Sequence, residues 1–186
     1  MNAVSPSFSD YLMKAEAKLS GALGGTCRIA VYHEMNSDIL RVIAEIEDER
    51  FRSELRYSER ELTIRSKKRG FTCFIVYLVE KPVAFVFGFD DSEKGAYFSD
   101  SAATLIERKG IASILTALET LYCQETGYTS EKMITEDLDE SGRRLVEYWA
   151  RFGFYVTRRT PKIGVEMRLE ITSAVVKGLL DKYLPG

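Results

Sequence analysis

One segment, Asp100-Ser-Ala-Ala-Thr-Leu-Ile-Glu-Arg-Lys-Gly-Ile-Ala-Ser113, has the pattern of a strand, a short basic loop and the beginning of a helix. The first N–H groups of such a helix have no partner within it, and the helix dipole adds partial positive charge there. Gly110 lets the loop turn, Ala112 permits a close approach, and Arg108 or Lys109 adds charge. The segment therefore predicts a pyrophosphate site. It lacks the Gly-Lys-Ser/Thr ending of a Walker loop and the G-x-G-x-x-G of a dinucleotide site.

Before this segment, the pattern changes from helices to strands at Gly70. Apolar residues recur at helical spacing first, and β-branched and aromatic residues dominate afterwards. The predicted elements are a helix beginning at Ser5-Pro6 and ended by Gly24-Gly25, a strand at 27–33, a helix capped by Asn36 or Ser37, a helix at 58–68, and a hairpin of strands 71–79 and 83–89 with a turn at Glu80-Lys81-Pro82.

After the segment, helices and strands alternate. The predicted elements are a helix with the inner face Ile111, Ile114, Leu115, Leu118, Leu121 and Tyr122, a strand at 132–135, a helix ending at Gly153, a strand at 155–159, a half-buried strand from Ile163 to Ile171 and a last helix with Val175 to Tyr183. This order predicts a single α/β (α+β) layer domain. We expect a helical extension at 1–25, a core at 26–171 and a C-terminal helix at 172–186.

Composition excludes several function classes. The chain has 186 residues, 45% of them hydrophobic, which is enough for one globular domain with a real core. Its net charge of -2 offers no concentrated positive charge for nucleic acid. No apolar run approaches the roughly 20 residues of a membrane helix. Met1 to Asp10 lacks the features of a signal peptide, so we expect a cytoplasmic protein.

Cysteine and histidine are too few and too scattered for metal or disulfide chemistry. Cys27, Cys73 and Cys123 are an odd number at wide spacing, and we expect buried free thiols. His33 is the only histidine and falls at the end of a predicted strand. The sequence therefore predicts no metal site.

Two motifs resemble the GNAT N-acetyltransferase superfamily. Glu107-Arg-Lys-Gly110-Ile-Ala112 is similar to its motif A, Gln/Arg-x-x-Gly-x-Gly/Ala, and Arg144-Leu-Val-Glu-Tyr-Trp-Ala-Arg-Phe-Gly153-Phe154 is similar to its second signature. The resemblance extends from about Arg28 to Ile171. It implies the GNAT acyl-CoA N-acyltransferase fold, whose mixed central sheet is splayed between the fourth and fifth core strands. Here that fold would carry extra N- and C-terminal helices.

The resemblance also implies where acetyl-CoA would bind, with its arm inserted between the splayed strands. A backbone N–H near the splay would stabilise the oxyanion of the tetrahedral intermediate. The implied cofactor-binding residues are Asp100, Ser101 and Ala102 for the pantetheine, Arg108, Lys109, Gly110, Ile111, Ala112 and Ser113 for the pyrophosphate, and Trp149 on the second motif.

Three positions depart from the family pattern. Glu107 replaces the usual Gln or Arg and puts negative charge beside the phosphate site. Gly142 stands where an Asn often contacts CoA, with Ser141 beside it as an expected helix cap. Trp149 occupies the place of a Tyr that protonates the leaving thiolate, and indole cannot serve as that acid near neutral pH. Tyr148 is adjacent but is turned about 100° away along the helix.

A general base is also needed, because an alkylammonium must lose a proton before it attacks. The candidates are Glu136 and Asp137 after the short strand, and Asp100 on the preceding one. Glu136 and Asp137 could equally be a solvated loop that caps the next helix, and Asp100 could act through its backbone alone. The acidic run from Glu45 to Glu49 could attract a cationic amine or could be a solvated helix face.

These patterns together predict an enzyme that transfers acetyl from acetyl-CoA to a primary amine on a small molecule, a peptide N-terminus or a lysine, by direct attack. One alternative keeps the fold without the reaction, as an acyl-CoA-binding or regulatory module, because Glu107 and Trp149 depart from the pattern. Another is a structural or interaction protein, because the two amphipathic end helices could cover the core or form a homodimer surface.

Overall fold

The computed structural model describes residues 7–139, 141–161 and 164–185. Helices flank one mixed sheet. The helices are α1 (Phe8–Leu23), α2 (Ser37–Arg50), α3 (Glu59–Ser66), α4 (Ile111–Glu125), α5 (Leu145–Ala150) and α6 (Ser173–Tyr183), with a short 3-10 turn at Ser53–Leu55. The strands are β1 (Cys27–Tyr32), β2 (Thr72–Leu78), β3 (Lys81–Asp90), β4 (Ala96–Thr104), β5 (Ser130–Thr135), β6 (Tyr155–Thr160) and β7 (Gly164–Glu170).

The seven strands lie in the order β1-β2-β3-β4-β5-β7-β6. All neighbouring pairs are antiparallel except β4 and β5, which are parallel because α4 connects them as a crossover. The predicted strand with Val165, Met167 and Leu169 is β7, and these three side chains are buried. Ile163, predicted as its first apolar residue, lies outside the described residues.

The sheet splits between β4 and β5. The two strands pair only at Ala96–Ser130, Tyr97–Glu131 and Phe98–Lys132, although β4 continues to Thr104 and β5 to Thr135. A β-bulge lies just beyond the last pair, since the β3 partners shift from Ser99 to Ser101 and leave Asp100 without one. A bulge bends its strand and increases the local twist, which directs β4 away from β5. The predicted splay between the fourth and fifth strands is thus confirmed.

Two helical layers cover the sheet. On one face, α4 packs under α1 and α6, whose residues Ala15, Leu19, Val176 and Leu180 are buried in the same core cluster. On the other face, α2 and α3 cover a cluster that contains Phe85, Phe87 and Phe89, as expected for that aromatic run. The end helices therefore cover the core, and a homodimer remains a prediction.

The helix ends follow local capping rules. Ser7 forms a capping box with Asp10 at the start of α1, and Gly24 ends that helix in the left-handed conformation. The predicted start at Ser5-Pro6 lies outside the described residues. Asn36 accepts a hydrogen bond from Ile39 N, so it caps α2 as predicted.

Two sequence-based expectations about turns and caps were wrong. The turn between β2 and β3 is Val79-Glu80 rather than Glu80-Lys81-Pro82, because Leu78 already pairs with Lys81. Ser141 does not cap α5. That helix begins at Leu145, after Arg144, whose side chain makes no capping hydrogen bond.

The Val79-Glu80 turn offers a stability test. Both residues have positive φ, 47° and 65°, a conformation that is costly for a β-branched valine and that Asn-Gly adopts readily. We expect the double substitution Val79→Asn, Glu80→Gly to raise the free energy of unfolding by about 1–2 kcal/mol, measured by urea denaturation. Val79→Thr, which keeps the branched side chain, is the matched control. A double variant no more stable than this control would contradict the prediction.

Candidate acyl-CoA site at the split in the sheet

The open side of β4 provides a free backbone edge. Beyond Phe98, the strand hydrogen-bonds to β3 on one side and has no strand partner on the side that faces β5. Unpaired backbone groups of this kind bind extended, amide-containing chains by adding them to the sheet edge. Asp100, Ser101 and Ala102, predicted to bind the pantetheine, lie on this free edge, and Ala102 is exposed.

The loop after β4 has the backbone geometry of an anion site. Arg108 and Gly110 both adopt the left-handed conformation, with φ of 59° and 80°. Such conformations turn successive N–H groups towards a common point, and Arg108 is strained because it has a side chain. Gly110 stands at the N-cap of α4 and makes no side-chain cap. Strain and an uncapped helix start at one place are consistent with a ligand-binding role.

The first turn of α4 has free donors. The backbone N–H groups of Ile111, Ala112 and Ser113 donate no hydrogen bond to any described residue, whereas Ile114 N donates to Gly110 O. Arg108, Lys109 and Gly110 are exposed, while Ile111 is buried in the core and anchors the helix. The structure therefore brings together all six residues predicted for the pyrophosphate.

Glu107 binds two arginines beside this loop. Its carboxylate pairs with Arg50 at the end of α2, and its other oxygen lies 3.4 Å from Arg143 Nη1. These cations lower the pKa of Glu107, the hydrogen bond from Arg50 having the largest effect. The negative charge noted in the sequence is therefore matched by two positive charges that sequence analysis missed.

Asp100 and Ser101 direct their side chains towards α2 and α3. Asp100 Oδ2 accepts a hydrogen bond of 2.6 Å from Arg65 Nε, and its side chain is 6% exposed. Burial raises the pKa of Asp100, and the charge of Arg65 opposes that rise. Ser101 Oγ donates to Glu47 at 3.1 Å. The backbone of these residues, rather than their side chains, faces the split.

Glu47 is buried, although the acidic run that contains it was expected to face solvent or a cationic amine. It is 1% exposed and accepts hydrogen bonds from Tyr57 N and Ser101 Oγ. These bonds connect α2 to β4 and to the segment that precedes α3. Burial raises the pKa of Glu47. Its neighbours Glu45, Asp48 and Glu49 are exposed. The acidic run is therefore a solvated face with one structural carboxylate.

The two acidic candidates after β5 are both ion-paired. Glu136 pairs with Arg52, from the segment after α2, and Asp137 pairs with Arg159 on β6. Glu136 follows the last residue of β5 at the open end of the split, and its side chain is 38% exposed. Asp137 O accepts a hydrogen bond from Leu145 N at 3.0 Å. This loop thus contacts the start of α5 through its backbone, whereas its two carboxylates pair with arginines outside that helix.

Tyr148 and Trp149, which are adjacent on α5, make different contacts. Trp149 packs against Tyr148, Phe152 and Phe154, with ring centroids 5.0, 5.9 and 6.1 Å away. The Tyr148 hydroxyl reaches Ser113 in the first turn of α4, and burial raises its pKa while Ser113 opposes that rise. Tyr148 was expected to point away from the position of Trp149 along the helix. Its phenol instead lies next to the predicted phosphate loop.

A buried carboxyl pair lies beneath the closed end of the split. Glu119 on α4 and Glu131 on β5 are 1% and 0% exposed. Ser99 Oγ donates to Glu119 Oε2 at 2.8 Å, and Thr120 Oγ1 donates to Glu131 Oε2 at 3.0 Å. Burial raises the pKa of Glu119 to about 7 and that of Glu131 well above its usual value. Neither Glu119 Oε1 nor Glu131 Oε1 has a hydrogen-bond partner among the described residues, and the charge of Glu119 adds to the rise in the pKa of Glu131. Two buried carboxylates this close resist ionising together, so we expect the pair to hold a proton.

The Glu119–Glu131 pair was not predicted from the sequence, although one of its residues carries a signal there. Glu119 stands four residues after Leu115 and therefore falls on the apolar face of α4. A carboxylate on such a face is costly to bury unless it is paired or protonated. The position thus indicated an unusual carboxyl group, but its partner on β5 could be found only in the fold.

The structure also bears on metal binding, on the cysteines and on membrane insertion. Within residues 7–139, 141–161 and 164–185, no cluster of three or more His, Cys, Asp or Glu side chains is arranged to hold a metal ion. The three cysteines are free and buried, as expected. Among those residues, no helix is both long enough and apolar enough to cross a membrane.

Comparison with known proteins places the fold. No protein-family model matches the sequence, and no curated protein matches it. Solved structures do match. The ribosomal-protein-S18-alanine N-acetyltransferase from Escherichia coli is similar with a TM-score of 0.61 and 13% identity, over 77% of this chain and 94% of that one. The aminoglycoside 6′-N-acetyltransferase from Enterococcus faecium gives a TM-score of 0.64 and 11% identity, over 77% and 97%.

A third structure was solved with a ligand. The PaiA N-acetyltransferase from Thermoplasma acidophilum, in complex with coenzyme A, is similar with a TM-score of 0.59 and 11% identity, over 76% of this chain and 98% of that one. At such identities the likeness concerns the fold. The mixed sheet with its flanking helices matches the fold of these structures, and the chain has the GNAT fold.

Proposed function

We propose that this protein transfers an acetyl group from acetyl-CoA to a primary amine. The observation that carries the proposal is the split between β4 and β5, which opens directly beside the Arg108–Gly110 loop and the free N–H groups of α4. A free strand edge suits the amides of pantetheine, and the loop suits a pyrophosphate. The two lie next to each other along the chain, as one elongated ligand with both groups requires.

The reaction follows from this placement as a direct transfer. The amine lone pair attacks the thioester carbonyl carbon, and a backbone N–H of the free β4 edge stabilises the resulting oxyanion. The C–S bond then breaks, the thiolate leaves and takes up a proton, and the ammonium proton passes to a base or to water. No covalent enzyme intermediate is required.

Glu136 is the base that we favour among the three candidates. Its side chain is partly exposed at the open end of the split, where it pairs with Arg52, whereas Asp100 is nearly buried and bound to Arg65 and Tyr57. Asp137 lies one residue further on and pairs with Arg159. A base must reach the amine, and exposure at the split favours Glu136.

Calorimetry and a CoA-release assay test the proposal together. We expect acetyl-CoA to bind in the micromolar range and free thiol to appear when a panel of small amines, peptides and lysine-containing substrates is added. Absence of acetyl-CoA binding would sink the proposal. Binding without turnover on any amine would favour the second candidate, a non-catalytic acyl-CoA-binding module, which Trp149 supports because its indole packs among rings and supplies no acid.

The choice of base gives a separate prediction. We expect Glu136→Gln to lower kcat/KM by about 10²-fold on any amine that the wild type acetylates, with little change in acetyl-CoA affinity. Asp137→Asn, which removes a neighbouring charge, is the matched control and should cost less than about fivefold. Equal losses in both variants would point to the charge of the loop rather than to a base at Glu136.

A further inference from the structure

The carboxylate of Glu107 joins three separate parts of the protein. It stands in the loop after β4 and contacts Arg50 on α2 and Arg143 before α5. Arg143 is held from behind by Asp139, which accepts hydrogen bonds from Arg143 N and Arg143 Nε. The loop after β4 and the segment after β5 flank the two sides of the split. The Glu107–Arg143 pair therefore bridges its open end.

The charges around the loop are unequal. Arg50, Arg143, Arg108 and Lys109 supply four positive charges, against the two carboxylates of Glu107, which contacts Arg50 and Arg143, and Asp139, which contacts Arg143. The side chains of Arg50, Glu107 and Arg143 are 29%, 37% and 54% exposed, so a solute can reach all three. Arginine binds carboxylate and phosphate oxygens with the same planar pair of donors. A phosphate group can thus replace the Glu107 carboxylate at both arginines.

We propose that Arg50 and Arg143 are phosphate ligands of CoA, that Glu107 pairs with both arginines until CoA binds, and that CoA binding exchanges the carboxylate for phosphate. This inference rests on the proposed function and adds two ligands from outside the helix start. Glu107 then acts as a competitor within the site. It keeps the arginines in place and lowers the affinity for CoA, because its own pairs must break before the phosphates bind.

Calorimetric titration with acetyl-CoA tests the exchange in the full chain. We expect Arg50→Gln and Arg143→Gln each to weaken binding by about three- to tenfold, and Glu107→Gln to strengthen it by a similar factor. Combining Glu107→Gln with Arg50→Gln should reveal coupling, since the loss on removing Arg50 becomes larger when no carboxylate competes for it.

Controls separate this inference from general charge effects. Arg41→Gln removes an exposed arginine of the same helix whose partner is the nearby Asp38, and this variant should bind acetyl-CoA like the wild type. Repeating the titrations with CoA that lacks its 3′-phosphate assigns the arginines. An effect that persists places them on the pyrophosphate, and one that disappears places them on the 3′-phosphate. Both results support the exchange.

Two results would overturn the inference while leaving the proposed function intact. One is wild-type affinity for acetyl-CoA in both Arg50→Gln and Arg143→Gln. The other is weaker binding by Glu107→Gln with an unchanged melting temperature, which would make Glu107 a brace that the ligand needs. If the wild type itself does not bind acetyl-CoA, the proposed function fails and the exchange fails with it.

Discussion

Gly110→Glu abolishes acetyl-CoA binding, with an expected loss of at least about 10²-fold in affinity, if the α4 start holds the pyrophosphate. A glutamate here places bulk and negative charge where the N–H groups of Ile111, Ala112 and Ser113 are free. Like charges at close range in a partly dry site repel strongly, and the carboxylate would also satisfy the donors itself. Isothermal titration calorimetry at constant ionic strength measures the loss.

Three companion variants separate charge from strain. Gly110 has a φ of 80°, so any side chain costs about 1 kcal/mol of backbone strain, but a Cβ here meets no atom within 4 Å. Gly110→Ala carries that strain alone, Gly110→Gln adds neutral bulk, and Gly110→Lys adds bulk with a positive charge. We expect affinity to fall in the order Ala, Lys, Gln, Glu. Wild-type affinity in folded Gly110→Glu would contradict the assignment of this loop.

The sequence predicted the order of elements well because local signals agree with the fold. The apolar faces of α2 and α4, the alternation in β7 and the glycine after α1 each report burial or capping at single positions. The β2–β3 turn was misplaced because the usual residue preferences pointed the wrong way. Pro82 reads as a turn residue yet lies in β3, and Val79, a poor turn residue, occupies the left-handed position.

The candidate site was only half visible in the sequence, for a physical reason. Backbone sites depend on a loop and a helix start that are continuous in the chain, so the segment from Arg108 to Ser113 could be found. Side-chain contacts across elements could not be found in this way. Arg50 and Arg143 lie 57 and 36 residues from Glu107 in the sequence, and only the fold brings them to its carboxylate.

The buried Glu119–Glu131 pair gives the second large expected effect. Glu119 has its pKa raised to about 7 by burial, whereas the unfolded chain ionises it near 4.5. Between these values the folded state binds more protons than the unfolded state, so this group makes stability fall as pH rises from about 4.5 to 7. Carboxylates with lowered pKa values, such as Glu107 and Asp139, act in the opposite direction and lose their stabilising effect as pH falls below their ordinary pKa values of 4.5 and 3.8.

Glu119→Gln isolates the contribution of the pair. The amide oxygen can accept from Ser99 as Glu119 Oε2 does, and the amide N–H can donate to Glu131, so no shared proton is needed. We expect the free energy of unfolding of the variant, relative to that of the wild type, to increase by about 2–3 kcal/mol as the pH is raised from 5 to 8. Urea denaturation at each pH measures both free energies of unfolding, and their difference cancels the contributions of the titrating groups that do not interact with Glu119.

Two further variants make this expectation decisive. Glu125→Gln removes an exposed carboxylate from the same helix and should run parallel to the wild type at every pH. Glu119→Ala keeps no acceptor for Ser99 and leaves Glu131 buried without its partner, so it should be destabilised by about 3 kcal/mol or more at pH 8. If Glu119→Gln also runs parallel to the wild type from pH 5 to 8, Glu119 ionises normally and no proton is shared. If instead the curves diverge, the closed end of the split contains a carboxyl pair that holds one proton at neutral pH, directly below Ser99, where β4 and β5 begin to separate.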